Sequence, residues 1–229
     1  MKAAYRAPLG RLTTHMQFIV EFFTNGGIWM WVILAVGVLA AAIFLERFFV
    51  LFGKANVDKD KFIAHVQRAI LAGDLNSAIN YCNERSTPLS NIVKSGIISV
   101  MNKGRDEEIQ TSMDVAALRE IPKVEKRTSY LPLLANVATL LGLLSTIVGL
   151  IMAFESVAGT DPSKKAAVLA RGISIAMNGT AFGLIVAIPT LLGSALLMSK
   201  TQSILDDVHE VSVATLNLIL QNRDKFPAR

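Results

Sequence analysis

Three apolar runs divide the chain. No Asp, Glu, Lys, Arg or His lies between Glu21 and Glu46, between Arg127 and Glu155, or between Arg171 and Lys200. Each run exceeds the roughly 20 residues a helix needs to cross the hydrocarbon core. They predict transmembrane helices over residues 28–45, 131–154 and 172–199. The first run follows Lys2, Arg6 and Arg11 and contains Ala40-Ala41-Ala42, features shared with secretory signals. Its length is well beyond a signal's apolar core of about 7–15 residues. Trp29 and Trp31 stand near its start, as interfacial anchors do. It is therefore read as a retained span.

The remaining segments are polar or amphipathic. In residues 1–27, Leu12, Met16, Ile19, Val20 and Phe23 have roughly helical spacing, which predicts a surface-lying amphipathic leader broken at Asn25-Gly26-Gly27. Residues 46–130 carry helical rather than strand periodicity. Phe62, Ile63, Val66, Ala69 and Ile70 mark one helix, closed by Gly73-Asp74, and Asn76–Arg85, Leu89–Asn102 and Glu107–Glu120 predict three more. The last of these is expected to continue into the second span, with kinks at Pro122 and Pro132. A loop, 155–171, containing Gly159, Asp161 and Pro162 joins spans two and three. Beyond Lys200 the apolar series Ile204, Val208, Val211, Val213, Leu216, Leu220 predicts that span three runs on as a helical tail, 200–229.

The predicted class is an all-α integral membrane protein, with three transmembrane helices and a cytoplasmic helical domain into which helices two and three extend. Orientation rests on cations near the span ends. Arg47, Lys54, Lys123, Lys126 and Arg127 flank the 46–130 domain; Lys2, Arg6, Arg11, Lys164, Lys165 and Arg171 lie on the other side. This modest bias puts the N-terminus in the periplasm and the C-terminus in the cytoplasm of a bacterial inner membrane.

Composition agrees and excludes several functions. Of the 229 residues 52% are hydrophobic and 18% charged, with a mean hydropathy of +0.46. The net charge of +5 comes from cations interleaved with acids, as in Asp58-Lys59-Asp60-Lys61, without aromatic platforms, so no nucleic-acid partner is expected. Cys82 is the one cysteine, and His15, His65 and His209 are scattered, so neither a disulfide nor a metal site is expected. The chain has no nucleophile–base pair, no metal-ligand spacing and no phosphate-cradling glycine loop. Neither an enzyme nor a cofactor is expected.

What chemistry there is lies in the last two spans. Thr139 and Thr146 are seven residues apart and share a helix face, with Asn136 one turn before. Gly142 stands between them. Ser145 and Gly149 form a small-xxx-small pair, as do Gly179 and Gly183 in span three. Ser174 and Asn178 share a face, and Pro189 removes one backbone hydrogen bond beside Thr190. These residues fit two readings. They could line a polar pore, or they could be packing residues whose hydroxyls bond back to the carbonyl one turn earlier. Asn136 and Asn178 favour contact with protein or water, because a carboxamide facing lipid is costly. A proton relay needs an ionisable group, and these spans contain none.

The segment Ala135–Gly149 with Met152-Ala153-Phe154 resembles the second-span signature of the MotA/TolQ/ExbB proton-channel family, and Gly172–Pro189 resembles its third. Glu46-Arg47 after span one matches a recurrent family feature. Three spans with a leader of this size look like the ExbB/TolQ branch. The resemblance implies a ring, typically a pentamer, enclosing two copies of an ExbD/TolR-like single-span partner whose buried Asp carries protons. It also implies that proton flow drives a motor acting on a TonB/TolA-like or gliding component. Thr146 and Thr180 match the threonines that face that Asp, with Asn178, Ser145 and Thr139 holding water or packing, and all five are expected to line the ion path with Asn136. Gly142, Gly149, Gly179, Gly183 and Pro189 would shape the helix contact. Three positions depart from the family pattern. Ile175 stands where many ExbB-type members have Glu, Thr139 where a Pro is common, and Ser145 where a Gly precedes the threonine. Losing that Glu moves the expectation from iron-siderophore uptake toward gliding or other transport machinery. The alternative function is a membrane scaffold that organises a partner without conducting.

Overall fold

The computed structural model describes residues 27–54 and 59–226; the expected amphipathic leader falls outside them. The described residues are helical throughout, with no strand among them. Helix α1 is Gly27–Phe49, followed by a π-helical turn at Val50–Lys54. Four short helices come next: α2 Lys59–Leu71, α3 Leu75–Arg85, α4 Pro88–Met101 and α5 Asp106–Glu125. The two long ones are α6, Tyr130–Ala158, and α7, Lys165–Gln221, which is a single unbroken 57-residue helix. Three of these helical runs are long and apolar enough to cross a membrane.

Local chemistry sets the breaks. Helix α2 ends because Gly73 turns to φ +77°, where its amide can reach Ile70 O at 3.0 Å and Asp74's can reach Ala69 O at 3.0 Å. Asp74 then caps α3 by accepting from the Ser77 amide at 3.0 Å. Thr87 and Ser90 form a reciprocal capping box at the start of α4, with Pro88 in the first turn. The expected run from the helical domain into span two passes through a turn, Lys126–Ser129, where Arg127 adopts φ +65°. Pro122 lies in the last part of α5, where its missing N–H weakens the end of the helix. Pro132 falls in the first turn of α6, where no amide partner is required. Helices α6 and α7 both reach into the expected 155–171 loop, leaving 159–164 as the link.

The chain forms two compact units. In the first, which includes Tyr130–Gly193 and the chain up to Ala42, Ile33 of α1, Ala135 and Ala138 of α6 and Ala187 of α7 form the buried contact. Val186 reaches Gly37 so closely that a β-carbon there would lie 3.2 Å from it. The second comprises Ile43–Ser129 and the chain from Ser194. Its core combines Phe62, Ile70, Ile92, Ile97 and Ile109 with Val208, Val211 and Ile219 of α7. The tail beyond span three is thus a wall of the helical domain. Lys59 bonds Glu210 at 2.5 Å and Asp207 at 3.4 Å, while Arg223 pairs with Asp106 and the Gly104 carbonyl. The hydrogen bond to Glu210 raises the Lys59 pKa above its usual value.

Candidate ion-path site

Helices α6 and α7 cross on small residues. Ala135, Ala138, Gly142 and Ser145 of α6 are buried, as are Ala176, Gly179, Gly183 and Ala187 of α7. A β-carbon on Gly183 would lie 2.7 Å from the Ala138 carbonyl oxygen, and one on Gly179 would land on the Ser145 hydroxyl. Gly142 faces the Gly179 carbonyl and the Thr180 Cα, and Gly149 faces Ala176. Backbones this close leave no space for larger residues, which accounts for all four glycines singled out from the sequence.

At this crossing three hydroxyls converge on one carbonyl. Ser145 Oγ lies 2.6 Å and Thr180 Oγ1 2.9 Å from Gly142 O, both within hydrogen-bond reach. Thr146 Oγ1 is hydrogen-bonded to Thr180 Oγ1, and lies 3.3 Å from both Gly142 O and Ala176 O. Thr146 and Thr180 are half-buried, whereas Ser145 is only 5% exposed. The pairing of Thr146 with Thr180 joins residues 34 apart in the chain.

The other polar candidates are elsewhere. Asn136 and Thr139 lie on an exposed face of α6, where the Thr139 hydroxyl bonds back to Ala135 O at 3.1 Å. Asn178 is half-buried on α7. Pro189 is exposed, and the neighbouring Thr190 hydroxyl returns to Val186 O at 2.7 Å. Among the described residues, no group of His, Cys, Asp or Glu is arranged to hold a metal, and His65 stacks on Tyr81 with ring centroids 3.9 Å apart.

Two features escaped sequence reasoning. The convergence on Gly142 O is one; its signal was the alternating three- and four-residue spacing of Ala135, Ala138, Gly142, Ser145 and Gly149. The other is at the end of span one. Glu46 accepts from Arg127 at 2.7 and 2.9 Å and from Arg47 at 3.3 Å, and Arg47, 4% exposed, also donates to Lys123 O at 3.3 Å. Glu46 is therefore an ion-paired residue rather than a freely solvated one. Nothing in the local sequence links it to Arg127.

These features define a class: an all-helical membrane protein whose long spans meet through small residues and enclose hydroxyls but no charge. The chain belongs to the MotA/TolQ/ExbB proton channel family, whose model matches residues 84–210, more than half its length. It is 26% identical over 172 residues, 74% of the chain, to an ExbB homologue of Methanothermobacter thermautotrophicus. It is 46% identical over 67 residues, 29% of the chain, to the biopolymer transport protein exbB1 of Vibrio cholerae. The matched stretches span 59% and 29% of those two relatives. The fold is also that of a chain in the structure of C. jejuni MotAB, with a TM-score of 0.54 at 19% identity, covering 96% of this chain and 94% of that one.

Proposed function

We propose that the chain is the ring-forming subunit of an inner-membrane motor driven by the proton-motive force. Spans 28–45, 131–154 and 172–199 cross the membrane, with the N-terminus periplasmic and the helical domain and C-terminus cytoplasmic. Several copies, five by family resemblance, surround two helices of an ExbD/TolR-like single-span partner. The motor then drives transport, envelope or gliding machinery. The observation that carries this reading is the Thr146–Thr180 hydroxyl pair in spans with no ionisable residue. Hydroxyls can orient water and hydrogen-bond a carboxylate, but they titrate too far from neutral pH to store the proton. The acid must come from the partner.

The test is proton flux in vesicles. The chain alone should conduct negligibly, and adding a single-span partner with a membrane-buried Asp should give flux that Thr146→Val with Thr180→Val abolishes. Robust flux without a partner would overturn the proposal. Partner-dependent activity that survives both substitutions would favour a non-conducting scaffold.

A further inference from the structure

The Gly142 carbonyl is offered more hydrogens than it can take. A carbonyl oxygen has two lone pairs, and in an α-helix one already receives the amide four residues on, here that of Thr146. One good position remains for three hydroxyls. Ser145 makes the shortest contact, 2.6 Å; Thr180 is at 2.9 Å and Thr146 at 3.3 Å. The ordinary O–H···O range ends near 3.0 Å. With Ser145 on Gly142 O, the Thr180 hydrogen turns to the Thr146 oxygen, its hydrogen-bonded neighbour. The Thr146 hydrogen is then left with only Ala176 O, 3.3 Å away. It is the least satisfied hydroxyl hydrogen of the three, on a half-buried residue.

We propose that Ser145 is a positioning residue that occupies the Gly142 carbonyl and so frees the Thr146 hydroxyl to donate to the partner's carboxylate. This rests on the reading of the chain as a ring around an acid-bearing helix. Gly179 makes the arrangement possible, since any side chain there would take the space of the Ser145 hydroxyl. Other titratable groups do not compete: α1 from Gly27 to Leu45, α6 from Leu131 to Phe154 and α7 from Gly172 to Ser199 carry no Asp, Glu, Lys, Arg or His. Removing the Ser145 hydroxyl lets Thr180, 2.9 Å away, donate to Gly142 O, and the Thr146 hydrogen then turns to the freed Thr180 oxygen. The carboxylate then loses a donor that favours its ionised form.

The experiment uses the full chain in vesicles with a synthetic single-span peptide, leucine-rich and carrying one ¹³C-carboxyl Asp at mid-helix. Infrared spectroscopy follows the protonation of that Asp against pH. Ser145→Ala should raise its midpoint by about one pH unit, on the scale of a hydrogen bond to a charged group. Thr146→Val should raise it by a similar amount, and the double substitution should add nothing further. An unmoved midpoint in Ser145→Ala, with Thr146→Val still effective, overturns the role of Ser145 and leaves the proposed function standing. If neither Thr146→Val nor Thr180→Val moves the midpoint, the proposed function itself fails. A lowered melting temperature with no midpoint shift would mean Ser145 only packs, which also overturns the proposal.

Discussion

The two units differ in the balance of residues they bury. The helical domain hides large side chains: Phe62, Ile70, Ile92, Ile97, Ile109 and Ile219 are fully buried. The span unit buries Met30, Ile33 and Leu131 but otherwise hides mainly alanine, glycine and serine, while Leu140, Leu143, Ile147, Ile185 and Leu192 point outward. Water drives the first arrangement, because burying each large aliphatic side chain there contributes about 1.5–3 kcal/mol. Lipid removes that incentive, since a leucine facing acyl chains is as well solvated as one facing another helix. Close backbone approach and hydrogen bonding then decide which faces meet. A hydroxyl cluster is tolerable in the second setting because its members satisfy one another and nearby carbonyls.

This contrast can be broken in four ways. Phe62→Ala empties the centre of the helical core and should cost about 3–5 kcal/mol, read by chemical denaturation of the detergent-solubilised protein. Gly183→Ala should cost about 1–3 kcal/mol, because the new methyl meets the backbone oxygen of Ala138, which cannot rotate away. In this unit a gain of one carbon is damaging, whereas in the helical domain a loss is.

A smaller effect separates the units by pH. Cys82, 1% exposed in the helical core, has its pKa pushed by burial from 9.0 up to about 11. Between those values the unfolded thiol has lost its proton and the folded one has not, so stability is full below pH 9 and falls as pH rises toward 11. Lys59, with its pKa raised above 10.5 by Glu210, acts in the same direction at higher pH. Melting temperatures measured across this range should decline less steeply in Cys82→Ala. The smallest change is Leu140→Ala on the exposed side of α6, within about 0.5 kcal/mol in detergent. A loss near that of Phe62→Ala would mean this face is packed against protein.

Much of the fold was legible because period and length carry it. The uncharged runs gave the spans, and Gly73-Asp74 punctuated the short helices as their capping chemistry requires. The turn at Lys126–Ser129 was less legible, because a left-handed Arg127 has no local signature. The site was partly legible. Thr146 and Thr180 stood out by type, yet Thr139, one heptad before Thr146 on the same face, lies outside the contact. A shared face does not say how far along the helix its neighbour stays close.

The sequence by itself determined that this protein is helical, that three segments can cross a bilayer, and that no proton-carrying acid lies within them. Those properties depend on the type and order of residues along one strand of chain. Tertiary structure alone decided that Ser145, Thr146 and Thr180 compete for the Gly142 carbonyl, that Glu46 holds Arg127, and that the end of α7 completes the helical core. Each joins groups on different helices or turns, and which of these meet is set by how closely the backbones can approach.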